Sequence, residues 1–353
     1  MTPLGDILIR RIRETGPISI ADYMAECLLH PVYGYYTTRP VFGGKGDFTT
    51  APEISQMFGE LLGLCLAQAW LDQGAPSPFT LAELGPGRGA LMADLLRATR
   101  GVPGFHAAAR ITLVEASARL REVQREALTG YKATWLETVT DLPAAPLFLI
   151  ANEFFDALPI RQFQRHPSGW QERLVGLDGD RLVAGLSAPM QLDLLTARLA
   201  DTVAGEVVET CPAAAAIMAG IADRITTFGG AAIVVDYGGW HSRGDTFQAL
   251  AGHAFVDPFA APGTADLTAH VDFEALALAA PHCAVTTMTE QGVFLERLGI
   301  TARAQALARR LAGPALESHV AAHRRLTHPR EMGRLFKAMA IHPNGSSPPP
   351  GFD

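Results

Sequence analysis

Between residues 81 and 238 the chain alternates short apolar runs with amphipathic stretches, and that alternation restricts what it can fold into. LAELG (81–85), ARITLVEAS (109–117), LFLIANE (147–153) and AAIVVDYG (231–238) read as buried strands, with ATWLET as a shorter one. GALMADLLRATR and ARLREVQREAL, lying between them, carry apolar residues at helical spacing. Strands that are apolar on both faces and joined by helices form a parallel sheet covered on both sides. The expected fold class is therefore α/β, a doubly wound, mostly parallel, Rossmann-like seven-strand sheet. FKAMAIH (336–342) supplies a last strand.

Two interruptions stand out. IRQFQRHPSGWQERLVGLDGDRLVAGLS (160–187) has short alternating runs joined by Pro-Ser-Gly and Asp-Gly, the chemistry of antiparallel hairpins. It implies a β-hairpin insertion over about 160–205, and the helical pattern of 292–335 implies a second. Upstream, residues 4–29 read as two helices broken at Gly16-Pro17. A long Gly- and aromatic-rich loop follows, HPVYGYYTTRPVFGGKGDFTTAPEIS, and then a helix over Ile54–Leu71. Residues 1–72 are thus expected to be N-terminal helices and a covering loop, and 73–353 a core with two insertions.

Of 353 residues 48% are apolar and 18% charged, which suits a sizeable core. The net charge of −7 and the lack of any basic run of five argue against nucleic acid as a partner. Arg309-Arg310 and Arg324-Arg325 read as solvated helix faces. Cys27, Cys65, Cys211 and Cys283 are far apart and form no C-x-x-C pair. That speaks against a zinc–thiolate site or a disulfide framework and for a reducing compartment, and no metal site is expected. No stretch approaches a signal peptide or a membrane span.

The sharpest local signal is Leu81-Ala82-Glu83-Leu84-Gly85-Pro86-Gly87-Arg88-Gly89-Ala90, where a strand turns into a helix. Glycines admit close ligand approach and positive φ, and a helix start presents free N–H groups. Glu115, at the end of the next strand and followed by Ala116, is placed to accept ribose hydroxyls. GPGRGA also satisfies G-x-G-x-x-A, so NAD competes for this turn. Against NAD, Gly85 and Glu115 are further apart than the usual separation of about 20 residues. Glu83, taken as exposed at the strand end, suits the ammonium of S-adenosylmethionine better than a pyrophosphate.

A second signal follows the fourth strand: Asn152-Glu153-Phe154-Phe155-Asp156-Ala157-Leu158-Pro159. Ligand crevices of open α/β sheets lie beyond the carboxyl ends of the strands. Glu153 and Asp156 are expected there as functional carboxylates, with Asn152 beside the donor. Phe154 and Phe155, each taken alone, read as core.

Taken together these strings resemble the MidA-like methyltransferases, the family of mitochondrial complex I assembly factor 7 and its bacterial relatives. The likeness runs through HPVYGYY, KGDFTTAPEISQMFGE, ELGPGRG, LVEAS with LREVQ, and NEFFDALPIRQF. It continues through VVDYG, GTADLTAHVDF, TEQGVFLERLGI and MGRLFKAMA. The resemblance implies a class I methyltransferase fold using S-adenosyl-L-methionine, with Gly85, Gly87, Gly89 and Glu115 in its donor motif. For the mitochondrial member it implies symmetric dimethylation of an arginine on a respiratory complex I subunit. With no presequence, this chain is expected in a bacterial cytoplasm, its eukaryotic relatives in the mitochondrial matrix. The acceptor stays open between a protein and a small molecule. A non-catalytic assembly factor is the third reading, and a homodimer is compatible with all three.

Methyl transfer from a sulfonium depends on alignment. A guanidinium acceptor needs carboxylates to hold it and a base to take the released proton. Glu153 and Asp156 are the candidates, with His270 in ADLTAHVDF as a second base at an expected helix start that Asp266 would cap. Gly46, Asp47, Phe48 and Thr49 are expected to close over the donor.

Overall fold

The computed structural model describes residues 2–38 and 49–352. It comprises two compact units, each built from separated stretches of chain. One contains Met1–Phe48, Asp156–Ala214 and His241–Asp272; the other contains Thr49–Phe155, Ala215–Trp240 and Phe273–Asp353. The sequence reading divides the chain once, near residue 72, whereas here residues 49–72 join the unit that holds the sheet.

That second unit carries the strands β1 (Phe79–Leu84), β2 (Ala109–Val114), β3 (Ala133–Leu136) and β4 (Leu147–Asn152). It also carries β5 (Gly230–Gly239), β6 (Cys283–Val285) and β7 (Phe336–Pro343). Their order is β3-β2-β1-β4-β5-β7-β6, with β1 to β5 parallel and β7 antiparallel to both neighbours. This is the expected doubly wound sheet, and its order reverses between β1 and β4. β1 and β4 are buried along their whole length, as strands covered on both faces must be. Register aligns their carboxyl ends: Leu84 faces Ala151 and Val114, and Asn152 faces Val235.

Helices α1 (Gln56–Asp72), α2 (Ala90–Ala98) and α3 (Ala118–Ala127) belong to the same unit. Close approach of α1 and α2 depends on glycine: a Cβ at Gly63 would lie 2.7 Å from Leu95 Cγ. Trp70, Phe79, Phe105 and Phe148 then fill the space beside the sheet, their ring centroids 5.1–5.6 Å apart. The helical stretch expected at 292–335 contains Gln291–Arg297, Ile300–Ala308, Gly313–Thr327 and Met332–Leu335.

The first unit pairs two helices with antiparallel strands. Helices Pro3–Thr15 and Ile20–Leu29 are separated at Gly16, which ends the first one at φ 87°. The hairpins predicted from the turn residues are present as Arg161–His166, Gly169–Asp178 and Arg181–Leu186. Trp170, Phe163, Leu195 and Val208 form their small core. Among the described residues no helix is long and apolar enough to cross a membrane.

Candidate functional site: a glycine turn flanked by buried carboxylates

The turn after β1 carries Gly85, Gly87 and Gly89 at φ 57°, 53° and 82°, all left-handed. Gly85 leaves little room for a side chain, because a Cβ there would lie 3.0 Å from Phe154 Cδ2. Gly89 occupies the N-cap of α2 and offers no capping side chain. The sequence places all three glycines here, and the backbone conformation explains why they are glycines.

Glu83 is buried rather than exposed, which corrects the sequence expectation. It is 3% exposed and precedes the last residue of β1, a strand covered on both faces. Its carboxylate accepts from the backbone N–H of Met92, and burial pushes its pKa up to about 8. Its Oε2 is buried without a hydrogen-bond partner. An orphaned carboxyl oxygen of this kind fits a cationic ligand group, which favours its ionised form on binding.

Glu115 follows β2 and is 8% exposed. Ser117 N–H donates to its Oε1 at 2.8 Å, and Gln124 Nε2 donates to its Oε2 at 3.1 Å. Burial raises its pKa, while these donors and the N–H of the exposed Ala116 oppose the rise. Gln124, fully buried on α3, also donates to Gly87 O at 2.8 Å and accepts from Trp135 Nε1 at 2.9 Å. Sequence reading passed over Gln124. The available signal was an amide four residues after Leu120, on the apolar stripe of an otherwise polar helix.

Beyond β4, Glu153 adopts φ 50°, a left-handed conformation uncommon for a residue with a side chain. Its N–H donates to Val235 O at 2.9 Å. Its Oε1 accepts from Ala51 N–H and from Asn152 Nδ2, each at 3.1 Å. Asn152 is 8% exposed, and its Oδ1 is buried without a partner. Phe155 is core at 3% exposure, and Phe154 is partly buried at an edge-to-face distance of 5.3 Å from it.

Asp236 on β5 organises that turn, and sequence reading assigned it no role. It is completely buried, and its Oδ2 accepts from the N–H groups of Phe154 and Phe155 at 3.2 and 3.0 Å. The signal was an acid in the apolar run AAIVVDYG, where a charge persists only if hydrogen-bonded.

The first unit holds the remaining candidates. Asp156 is 6% exposed, and its carbonyl accepts from Ala269 N–H at 3.0 Å. Asp266 is not a helix cap: it begins the strand Asp266–Thr268 and accepts from Tyr36 Oη at 2.8 Å. His270 is likewise not at a helix start. It is exposed between short strands, its N–H donating to Thr246 Oγ1 at 2.8 Å. Pairing of Gln248–Ala251 with Asp266–Thr268 outweighs the local helical pattern, and the helix waits until Phe273. Of the expected covering loop, Gly46, Asp47 and Phe48 lie outside the described residues. Thr49 has no regular structure.

Comparison with known proteins joins this geometry to a chemistry. Residues 61–290 match the family model described as S-adenosyl-L-methionine-dependent methyltransferase. Protein arginine methyltransferase NDUFAF7, mitochondrial, from Bos taurus is 36% identical over 98% of this chain and 84% of its own length. The Homo sapiens protein gives the same figures, and that of Xenopus laevis is 37% identical over 96% and 84%. A Burkholderia thailandensis protein crystallised with S-adenosyl-homocysteine matches with a TM-score of 0.85. It is 30% identical, over 99% of this chain and 93% of that one. With the glycine turn, the reversed strand order and near full-length similarity in agreement, the chain belongs to the S-adenosyl-L-methionine-dependent methyltransferase family.

Proposed function

We propose that this chain methylates an arginine side chain of a protein, a subunit of respiratory complex I, using the glycine turn after β1 to hold the methyl donor. The observation that carries the arginine reading is the near full-length similarity to relatives named as protein arginine methyltransferases. The buried, partly unpaired carboxylate of Glu83 and the bare turn beside it support the donor site.

When bound, S-adenosyl-L-methionine supplies an electrophilic methyl group. Glu83 offers its orphaned oxygen to the donor's ammonium, and Gly85, Gly87 and Gly89 allow the backbone to approach the amino-acid end. Glu115, held by Gln124 and Ser117, accepts the ribose hydroxyls, with Ala116 and Asn152 beside the nucleoside.

On the acceptor side a guanidinium stays protonated at accessible pH and has to be gripped before it can react. Glu153 and Asp156 share that task, one pairing with the guanidinium and the other taking the proton released as the new bond forms. His270 is the alternative base. The four cysteines are free thiols, which suits a reducing compartment as the place of action.

Methyl-labelled donor, the enzyme and a lysate of its own organism test the proposal. Label recovered as dimethylarginine from a large respiratory subunit is the expected result. Label confined to the small-molecule fraction contradicts it.

A further inference from the structure

Residues 291–335 carry eight arginines against Glu296, Glu317 and Glu331, a net +5 inside a chain of net −7. The rest of the chain therefore carries −12, from −7 less +5. Four of the eight arginines are occupied. Arg303 is bound to the buried Glu60, Arg297 donates to Gly351 O, Arg324 pairs with Glu331 and Arg334 with Glu290. Arg309, Arg310, Arg325 and Arg330 are exposed, and among the described residues they form no ion pair.

The fold presents these four cations on a fixed frame. Helices Ile300–Ala308 and Gly313–Thr327 form a hairpin, pinned where Thr301 Oγ1 meets His323 Nε2 at 3.0 Å. A second pin is His319 Nε2, 3.0 Å from Ala304 O. Ile300, Ala304 and Leu326 face inward with Phe294 and Leu295. Arg309 and Arg310 stand at the bend, while Arg325, in the last turn of the second helix, and Arg330 just after it lie towards the hairpin's other end. Leaving four guanidinium groups unpaired on a protein rich in carboxylates gives no stability; it keeps them available to an outside anion.

We infer that this helical hairpin docks an acidic surface of a protein partner through Arg309, Arg310, Arg325 and Arg330. The inference is independent of which group receives the methyl. The surroundings of these arginines disfavour other anions. Single-stranded nucleic acid is held by aromatic platforms as well as charge, and the one Phe, Tyr or Trp in 291–335, Phe294, is fully buried. A membrane-surface helix needs a bulky apolar face. The exposed apolar residues here, Val293, Val320 and Leu335, sit on three different helices. A carboxylate-bearing protein surface needs only the planar, bidentate donors that are present.

Fluorescence anisotropy of the full chain with a labelled polyglutamate peptide tests this. Saturable binding is expected, weakening as salt is added. The variant combining Arg309→Gln, Arg310→Gln, Arg325→Gln and Arg330→Gln is expected to lose about tenfold or more in affinity. Its unchanged affinity for S-adenosyl-homocysteine would report an intact fold. Equal peptide affinity in variant and parent overturns the inference. So does finding that the four substitutions abolish self-association, or binding to phosphatidylglycerol vesicles or single-stranded RNA, while leaving polyglutamate binding unchanged.

Discussion

Gln124 fastens Glu115 in place: its Nε2 donates to Glu115 Oε2 at 3.1 Å while also reaching Gly87 O at 2.8 Å. One buried amide thus sets both the proposed ribose acid and the glycine turn. Gln124→Ala removes both bonds and leaves Trp135 Nε1 without its acceptor. Donor affinity should fall about tenfold, for roughly 1–2 kcal/mol of lost orientation. Calorimetric titration with S-adenosyl-homocysteine reads this, and unchanged affinity would show that Gln124 only supports the fold.

Gly85→Ala tests the turn itself. The added Cβ meets Phe154 at 3.0 Å, and φ 57° costs alanine roughly 1–2 kcal/mol. Donor affinity should drop by more than about tenfold. Phe154→Ala in the same chain should restore part of it, because the two substitutions share one clash. Strict additivity of the two would contradict that coupling.

Asp236→Asn leaves one oxygen for the N–H groups of Phe154 and Phe155 but puts an NH2 donor where Oδ1 accepts from Tyr237 N–H at 3.0 Å. The turn carrying Glu153 should loosen. Turnover is expected to fall about tenfold or more, with donor affinity within about twofold of the parent. Steady-state kinetics beside donor titration separates the two. A loss confined to donor binding would assign Asp236 to the wrong substrate.

Glu83 gives a pH prediction. Its folded pKa, pushed up to about 8 by burial, lies above its ordinary value of 4.5. In the donor-free protein the carboxyl is therefore largely protonated at neutral pH, and stability falls as pH rises from 4.5 through about 8. A bound ammonium favours the ionised form, so donor binding near neutrality should release a proton. Binding enthalpies measured in buffers of different ionisation heat should differ for the parent and coincide for Glu83→Gln. Buffer-independent enthalpies for the parent would contradict this role.

Much of this was legible in the chain because it is local. Strand β1 was placed within two residues of its ends by its apolar run, and the glycines at 85, 87 and 89 marked their own left-handed turn. What escaped depends on distant partners. Glu83 was read as exposed because its neighbours in sequence do not reveal that β2 and β4 flank its strand. Asp236 lies 81 and 82 residues from the N–H groups it receives, and Gln124 is 37 residues from Gly87. His270 was given a helical setting that pairing with Gln248–Ala251 overrides. Nor does local pattern reveal that one compact unit draws on three separate stretches of chain.

A crystal structure of this chain grown with S-adenosyl-homocysteine examines the donor site atom by atom. The ligand's ribose hydroxyls should lie on Glu115 and its ammonium against the unpaired oxygen of Glu83, with its amino-acid end over Gly85 to Gly89. Density for the ligand elsewhere, or a turn that accepts only a dinucleotide, would contradict the assignment of these residues to the methyl donor.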